Sequence, residues 1–154
     1  MNSQIFLKLS NGVEIPQLGL GVSGAKEGVQ TEQSVSWALE AGYRHIDTAA
    51  VYGNEYSVGK AIRDRGLPRK DVFLTGKIWN SYIRAGQTLP AFYQILENLG
   101  TDYLDMCLLH WPVEGKEEAW STMIQLYNQK LVRAIGVSNF NIHHLNDLIQ
   151  ATGV

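Results

Sequence analysis

The feature that most constrains the fold is a loose repeat of about 30 residues, in which a short apolar run precedes an amphipathic segment. The apolar runs have the length and composition of strands, and the longer segments carry apolar residues at helical spacing. Strict alternation of strands and helices predicts a parallel sheet, because each helix returns the chain to start a neighbouring parallel strand. The predicted strands are residues 18–22, 45–49, 72–78, 104–109 and 132–137.

The residues before the repeat predict a β-hairpin within residues 1–16. An apolar run at 5–9 and an alternating run at 13–15 flank Asn11-Gly12. Asn-Gly between two such runs is a strong hairpin signal.

Capping and breaking residues delimit the predicted helices. Thr31, Asn54 and Asn141 are predicted to cap the first, second and fifth helices. Pro90 is expected in the first turn of the third helix, because an interior proline costs about 3 kcal/mol. The fourth helix is predicted over 117–130. Side chains expected to pack inward include Trp37, Trp120, Tyr127, Leu145, Leu148 and Ile149.

Two architectures fit this order of elements. A doubly wound open sheet of five strands is natural for 154 residues. A (β/α)8 barrel normally has about 250 residues, so this chain would hold five of its eight units. Length alone favours the open sheet.

Gly19-Leu20-Gly21-Val22-Ser23-Gly24 matches the G-x-G-x-x-G pattern of dinucleotide-binding loops. In such a loop the helix opens at the third glycine, yet the predicted cap is Thr31. We therefore expect a short strand followed by a flexible loop.

Composition excludes several classes of protein. Thirteen Lys and Arg against fifteen Asp and Glu give a net charge of −2, so no basic excess indicates nucleic acid or anionic lipid as a partner. One cysteine rules out an intrachain disulfide and fits a reducing compartment, so a cytoplasmic location is expected. The start of the chain lacks the pattern of a signal peptide, and no apolar run approaches the roughly 20 residues of a membrane span. Cys107 is expected to be a core thiol, and His143-His144 lacks the spacing of metal ligands.

Polar residues recur at about 30-residue intervals where the predicted strands end. Equivalent positions of a parallel sheet share one edge, and in α/β proteins that edge holds the ligand. Each residue alone has an ordinary structural explanation, such as a loop cap or a packing residue, but coincidence at four successive strands is improbable. The residues are Asp47, Tyr52, Lys77, His110, Ser138 and Asn139.

These residue types together predict a proton donor for a developing alkoxide. A phenol, with a pKa of about 10, is a poor acid near neutrality. An adjacent ammonium stabilises the phenolate, and a carboxylate holds that ammonium charged and in place. A histidine hydrogen-bonds the substrate oxygen. This chemistry suits carbonyl reduction with hydride from a nicotinamide cofactor.

Several strings resemble those of the aldo-keto reductase family and follow one another in that family's order. They are Gly-Val-Glu-Ile-Pro-Gln-Leu-Gly-Leu-Gly (12–21), Gly-Tyr-Arg-His-Ile-Asp-Thr-Ala (42–49), Val-Tyr-Gly-Asn-Glu (51–55), Lys-Ile-Trp-Asn (77–80), Leu-His-Trp-Pro (109–112) and Ile-Gly-Val-Ser-Asn-Phe (135–140). The resemblance implies a (β/α)8 barrel that uses NADPH to reduce aldehydes or ketones.

The resemblance also implies a role for each matching residue. The tyrosine matching Tyr52 donates the proton, the lysine matching Lys77 makes that proton easier to release, and the aspartate matching Asp47 pairs with the lysine. The histidine matching His110 orients the carbonyl. Residues matching Ser138 and Asn139 hold the nicotinamide carboxamide, and those matching Trp79 and Trp111 line the substrate pocket.

The chief departure from the family is length, because Val154 falls where a sixth strand is expected. In the family the last three units carry most contacts to the adenosine phosphate. Open strand edges predict self-association, such as a homo-oligomer. The alternative function is therefore a non-catalytic half-barrel that acts as an interaction or assembly module.

Overall fold

The computed structural model describes residues 4–154. The N-terminal hairpin is present, with Phe6↔Pro16 and Lys8↔Glu14 paired antiparallel. Residues 1–3, on which part of the signal-peptide prediction rests, lie outside the described residues. The strands are β1 (Phe6–Lys8), β2 (Glu14–Pro16), β3 (Leu20–Gly21), β4 (His45–Asp47), β5 (Phe73–Ile78), β6 (Leu104–Leu109) and β7 (Val132–Val137). The helices are α1 (Val29–Glu40), α2 (Glu55–Asp64), α3 (Asn80–Arg84), α4 (Thr88–Leu99), α5 (Lys116–Asn128) and α6 (Ile142–Thr152).

The main sheet has five parallel strands in the order β3-β4-β5-β6-β7. Each strand lies beside its predecessor, and right-handed crossovers that always advance in one direction place the helices on one face. Neighbouring helices accordingly contact one another along that face. A doubly wound sheet needs a reversal of strand order, so that alternative is wrong.

The sheet is open within residues 4–154, because β3 and β7 lie at opposite edges and do not pair. The closed (β/α)8 barrel is therefore not formed by these residues. Sequential strand order with one-sided crossovers is nevertheless the arrangement found in such barrels. The structure thus agrees with five consecutive units of a barrel.

The core lies between the sheet and its helices. Ile46, Leu74 and Ile78 extend from the strands towards the helix layer and are fully buried. Phe92 and Ile95 pack there from α4, which begins two residues before Pro90, so the proline occupies the first turn as predicted. Cys107 is buried in the same core, and burial raises the pKa of its thiol. It is a core thiol, as expected.

Asp105 is a buried carboxylate in β6. Its oxygens accept hydrogen bonds from Arg69 at 2.8 Å and Arg133 at 2.6 Å, and from the backbone N–H of Leu74 at 3.0 Å. Burying a carboxylate is unfavourable unless charge and hydrogen bonds compensate for the lost water. These contacts supply that compensation and join β5, β6 and β7.

Several helix predictions need correction. Helix α1 begins at Val29, so Thr31 lies inside it, and its hydroxyl donates to the Lys26 carbonyl rather than capping the helix. Helix α5 ends at Asn128, two residues earlier than predicted, and Tyr127 is partly exposed. Asn141 caps α6 as predicted, in a reciprocal capping box with His144.

Some expected packing residues are instead exposed. Trp37 on α1 is 63% exposed. On α6, Leu145 and Ile149 are 39% and 55% exposed, and Leu148 alone of the three predicted residues is buried. Helical spacing identifies a face correctly, but burial needs a neighbouring element to cover that face.

No helix within residues 4–154 has both the length and the apolar character required to cross a bilayer.

Candidate active site

Parallel strands bring the predicted site residues to one edge of the sheet. Asp47 ends β4, and Lys77 is the penultimate residue of β5. His110 directly follows β6. Tyr52 closes a short 3-10 turn after β4. All four therefore stand at the carboxyl ends of adjacent strands, where α/β folds place their ligands.

The Lys77 ammonium is the centre of this cluster. Its Nζ donates to Asp47 Oδ1 at 2.5 Å, to the Thr48 carbonyl at 3.2 Å and to Tyr52 Oη at 3.4 Å. The Lys77 side chain is only 7% exposed, whereas the Asp47 side chain is 31% exposed. The carboxylate thus compensates a nearly buried cation, and the cation stands directly beside the phenol oxygen.

His110 lies against both aromatic neighbours of the cluster. Its ring meets the Tyr52 ring edge-to-face at 5.9 Å and the Trp79 ring at 5.1 Å between centroids. Burial and then the Lys77 charge lower the pKa of His110, and Asp47 partly opposes that shift. His110 Nδ1 is buried without a hydrogen-bond partner among residues 4–154, so protonation would leave a buried N–H unsatisfied. The imidazole is therefore neutral at neutral pH.

Ser138 and Asn139 follow β7 at the same edge. Asn139 has a left-handed backbone, with φ at 62°, and its Nδ2 donates to the His110 carbonyl at 2.9 Å and to Ser138 Oγ at 3.0 Å. Asn139 is an exposed residue, and these bonds use its Nδ2 while its Oδ1 remains an acceptor. The serine hydroxyl can act as donor or acceptor. A carboxamide needs both kinds of partner, so the pair fits the nicotinamide end of NADPH.

The two tryptophans differ in their surroundings. Trp79 is half-buried against His110, whereas Trp111 is exposed beside the same edge. Apolar rings next to a polar cluster give a surface on which the body of a substrate can rest.

In this region one prediction from the sequence is confirmed and one is wrong. Helix α1 begins five residues after Gly24, so residues 19–24 form a short strand and a loop rather than a phosphate-binding turn, as expected. Asn54 stands at the N-cap position of α2, yet its side chain makes no cap hydrogen bond and is fully buried elsewhere. Its sequence position suggests an ordinary cap, and only the fold reveals its partners.

The sequence profile of the Aldo/keto reductase family matches residues 17–153. The chain belongs to the aldo/keto reductase family.

Within residues 4–154 no group of three or more His, Cys, Asp and Glu side chains is placed to hold a metal ion.

Curated relatives of this aldo/keto reductase chain are about twice its length. It is 51% identical over 144 residues to the 9,11-endoperoxide prostaglandin H2 reductase of Trypanosoma cruzi, covering 93% of this chain and 51% of that protein. It is 46% identical over 145 residues to the glyoxal reductase of Bacillus subtilis, covering 94% and 52% respectively. The chain thus spans about half the length of the curated relatives it matches.

Solved structures of aldo/keto reductases are likewise longer than this chain and superpose on nearly all of it. An aldo/keto reductase from Brucella melitensis superposes with a TM-score of 0.94 at 48% identity, over 99% of this chain and 60% of that one. A Bombyx mori aldo-keto reductase in complex with NADP superposes with a TM-score of 0.90 at 36% identity, over 100% and 56%. The family uses NADPH and has a TIM-barrel fold.

Proposed function

We propose that this chain carries the catalytic part of an NADPH-dependent reductase of aldehydes or ketones, with Tyr52 as the proton donor. The observation that supports it most is the position of Lys77 Nζ, 2.5 Å from Asp47 Oδ1 and 3.4 Å from Tyr52 Oη. Carbonyl reduction leaves a developing alkoxide that must gain a proton. A phenol beside a held ammonium is suited to provide it.

When bound, NADPH supplies the hydride that adds to the carbonyl carbon. The O–H of Tyr52 donates its proton to the carbonyl oxygen, which completes the alcohol. The phenolate left behind is stabilised by the Lys77 ammonium, whose charge Asp47 maintains. The next proton enters from solvent through the exposed side of this cluster.

His110 orients the carbonyl in this proposal. Because the imidazole is neutral, its Nε2–H donates a hydrogen bond to the carbonyl oxygen without competing as an acid. Ser138 and Asn139 hold the nicotinamide carboxamide, and Trp79 and Trp111 contact the substrate body. These assignments place carbonyl, phenol and nicotinamide at one edge of the sheet.

The test is oxidation of NADPH by the purified chain with a reactive aromatic aldehyde such as 4-nitrobenzaldehyde. Tyr52→Phe is expected to reduce turnover by at least roughly 100-fold, the usual contribution of a positioned proton donor. Tyr127→Phe, on the partly exposed face of α5, is the matched control and should retain full activity. Equal activity of the Tyr52 variant would refute the assignment. Absence of turnover in a folded wild-type chain would show that this chain alone is not an enzyme.

A second candidate function, an interaction or assembly module, is favoured by the open edge of β7. Within residues 4–154 no strand pairs with that edge, and an adjacent groove of about 760 Å³ is lined by apolar side chains such as Leu108, Ile124 and Val137. Unpaired strand edges readily pair with another chain. This function predicts homo-oligomers in light scattering, no saturable NADPH binding, and dissociation by Ile135→Lys in β7. A monomer that binds NADPH would contradict it.

A cytoplasmic location stays a prediction from the cysteine content.

A further inference from the structure

Asn54 is a fully buried amide two residues beyond Tyr52. The chain leaves the 3-10 turn 50–52 through Gly53, whose left-handed φ of 65° turns the backbone inward, and Asn54 follows with 0% exposure. Burying an amide is unfavourable unless its hydrogen-bonding groups are satisfied. Its contacts therefore indicate what holds this segment in place.

Three hydrogen bonds satisfy the Asn54 side chain. Nδ2 donates to the carbonyls of Val22 and Ala25, both at 2.9 Å, and Oδ1 accepts from Thr48 Oγ1 at 3.1 Å. The two N–H groups of the amide therefore contact the loop after β3, and the amide oxygen contacts Thr48, the residue after β4. The side chain thus joins two loops at the edge that carries the site.

Thr48 connects this amide to the centre of the site. Its backbone carbonyl accepts from Lys77 Nζ at 3.2 Å, and its N–H donates to the Thr75 carbonyl of β5 at 2.9 Å. Asn54 therefore lies two residues after Tyr52 in the chain. It is also linked to the Lys77 ammonium, because Thr48 is hydrogen-bonded to both side chains. Asn54 is thus connected to both partners of the Lys77–Tyr52 contact.

That contact is sensitive to small displacements. At 3.4 Å, Nζ and Oη are already at the long limit of a hydrogen bond. A misplacement of about 1 Å can reduce a rate by roughly 100-fold.

We propose that Asn54 is a positioning residue that sets Tyr52 Oη against Lys77 Nζ and anchors the 22–25 loop beside them. The significance of this role for catalysis rests on the proposed function, but the geometric claim does not.

The test uses Asn54→Ala and Asn54→Asp, which remove both donated hydrogen bonds. Asp is nearly isosteric and places carboxylate oxygens against the two loop carbonyls. The matched control is Ser57→Ala on α2. It removes the hydrogen bond from the Gly28 N–H to Ser57 Oγ at 2.8 Å and leaves the three hydrogen bonds of Asn54 in place. Thr48→Val is a milder variant that removes one of the three bonds and keeps the Thr48 carbonyl.

The first readout is the ¹³Cζ resonance of Tyr52 at fixed pH, assigned by its loss in Tyr52→Phe. We expect it to move in both Asn54 variants and, less, in Thr48→Val, while Ser57→Ala leaves it unchanged. The second readout is amide hydrogen exchange in residues 22–25, expected to accelerate by at least about tenfold in the Asn54 variants.

An unchanged Tyr52 resonance in folded Asn54→Ala, or in Thr48→Val if the alanine variant does not fold, would overturn the proposal. Where the chain has turnover, the Asn54 variants should lower kcat by about tenfold or more with a smaller change in KM. If the resonance moves as expected but the wild-type chain has no turnover, the positioning claim stands and the proposed function fails.

Discussion

Glu55 offers a test of burial energetics next to the site. It opens α2, is only 3% exposed, and its Oε2 accepts from Asn98 Nδ2 at 2.8 Å. Its Oε1 has no hydrogen-bond partner among residues 4–154. Burial raises the pKa of Glu55 from 4.5 to about 7, against the smaller opposite effect of the Asn98 hydrogen bond. The carboxyl is therefore protonated in the fold at pH values where the unfolded chain has ionised it.

The sign and size of the effect follow from proton linkage. The neutral carboxyl contributes stability that is fully present below pH 4.5 and is lost as the pH rises to about 7. A difference of about 2.5 pKa units corresponds to about 3 kcal/mol. Glu55→Gln cannot ionise, so the free energy of unfolding of wild type should fall by about 3 kcal/mol relative to the variant across this interval.

Urea unfolding monitored by far-ultraviolet circular dichroism between pH 4 and pH 9 measures this difference. The comparison cancels the titration of other groups that wild type and variant share. Glu14→Gln, in the exposed part of the hairpin, is the control and should give a curve parallel to wild type. Parallel curves for Glu55→Gln as well, within about 0.5 kcal/mol, would refute the reasoning.

Three further predictions concern the fold and the site. Gly59→Ala should destabilise the protein by at least about 2 kcal/mol in urea unfolding, although alanine normally favours helices, because the added Cβ overlaps the carbonyl of the last residue of α4. Gly21→Ala meets no atom within 4 Å and should change stability by less than about 0.5 kcal/mol. Asp105→Asn should cost about 2 kcal/mol by weakening its two arginine contacts, whereas Asp64→Asn, at an exposed pair, should cost about 0.5 kcal/mol or less. The ring protons of His110 should titrate in NMR spectra with a midpoint below 6.5, and the stability its neutral form contributes is lost as the pH falls below 6.5.

Strands with strong local signals were predicted well. The boundaries 104–109 and 132–137 agree with β6 and β7, because apolar runs there are bounded by polar or turn residues. The first strand is shorter than predicted, and the short helix α3 was missed, because five residues carry too little periodicity.

The sequence predicts that Asp47, Tyr52, Lys77 and His110 share one edge of the sheet, and the structure brings them together there. Their catalytic roles stay a prediction. The partners of Asn54 could not be predicted, because two of its three hydrogen bonds reach backbone carbonyls about 30 residues away. Any residue type presents the same carbonyl, so no sequence signal marks those acceptors.

The sequence by itself determined the alternation of strands and helices, and with it the shared edge at which the polar residues meet. Those properties follow from periodicity and from the direction of parallel strands, which are local. Only the tertiary structure decided the strand order, which excludes a doubly wound sheet, and the exposure of Trp37, Leu145 and Ile149. These properties depend on which elements become neighbours. Periodicity indicates which side of a helix is apolar, but it does not indicate which element covers that side.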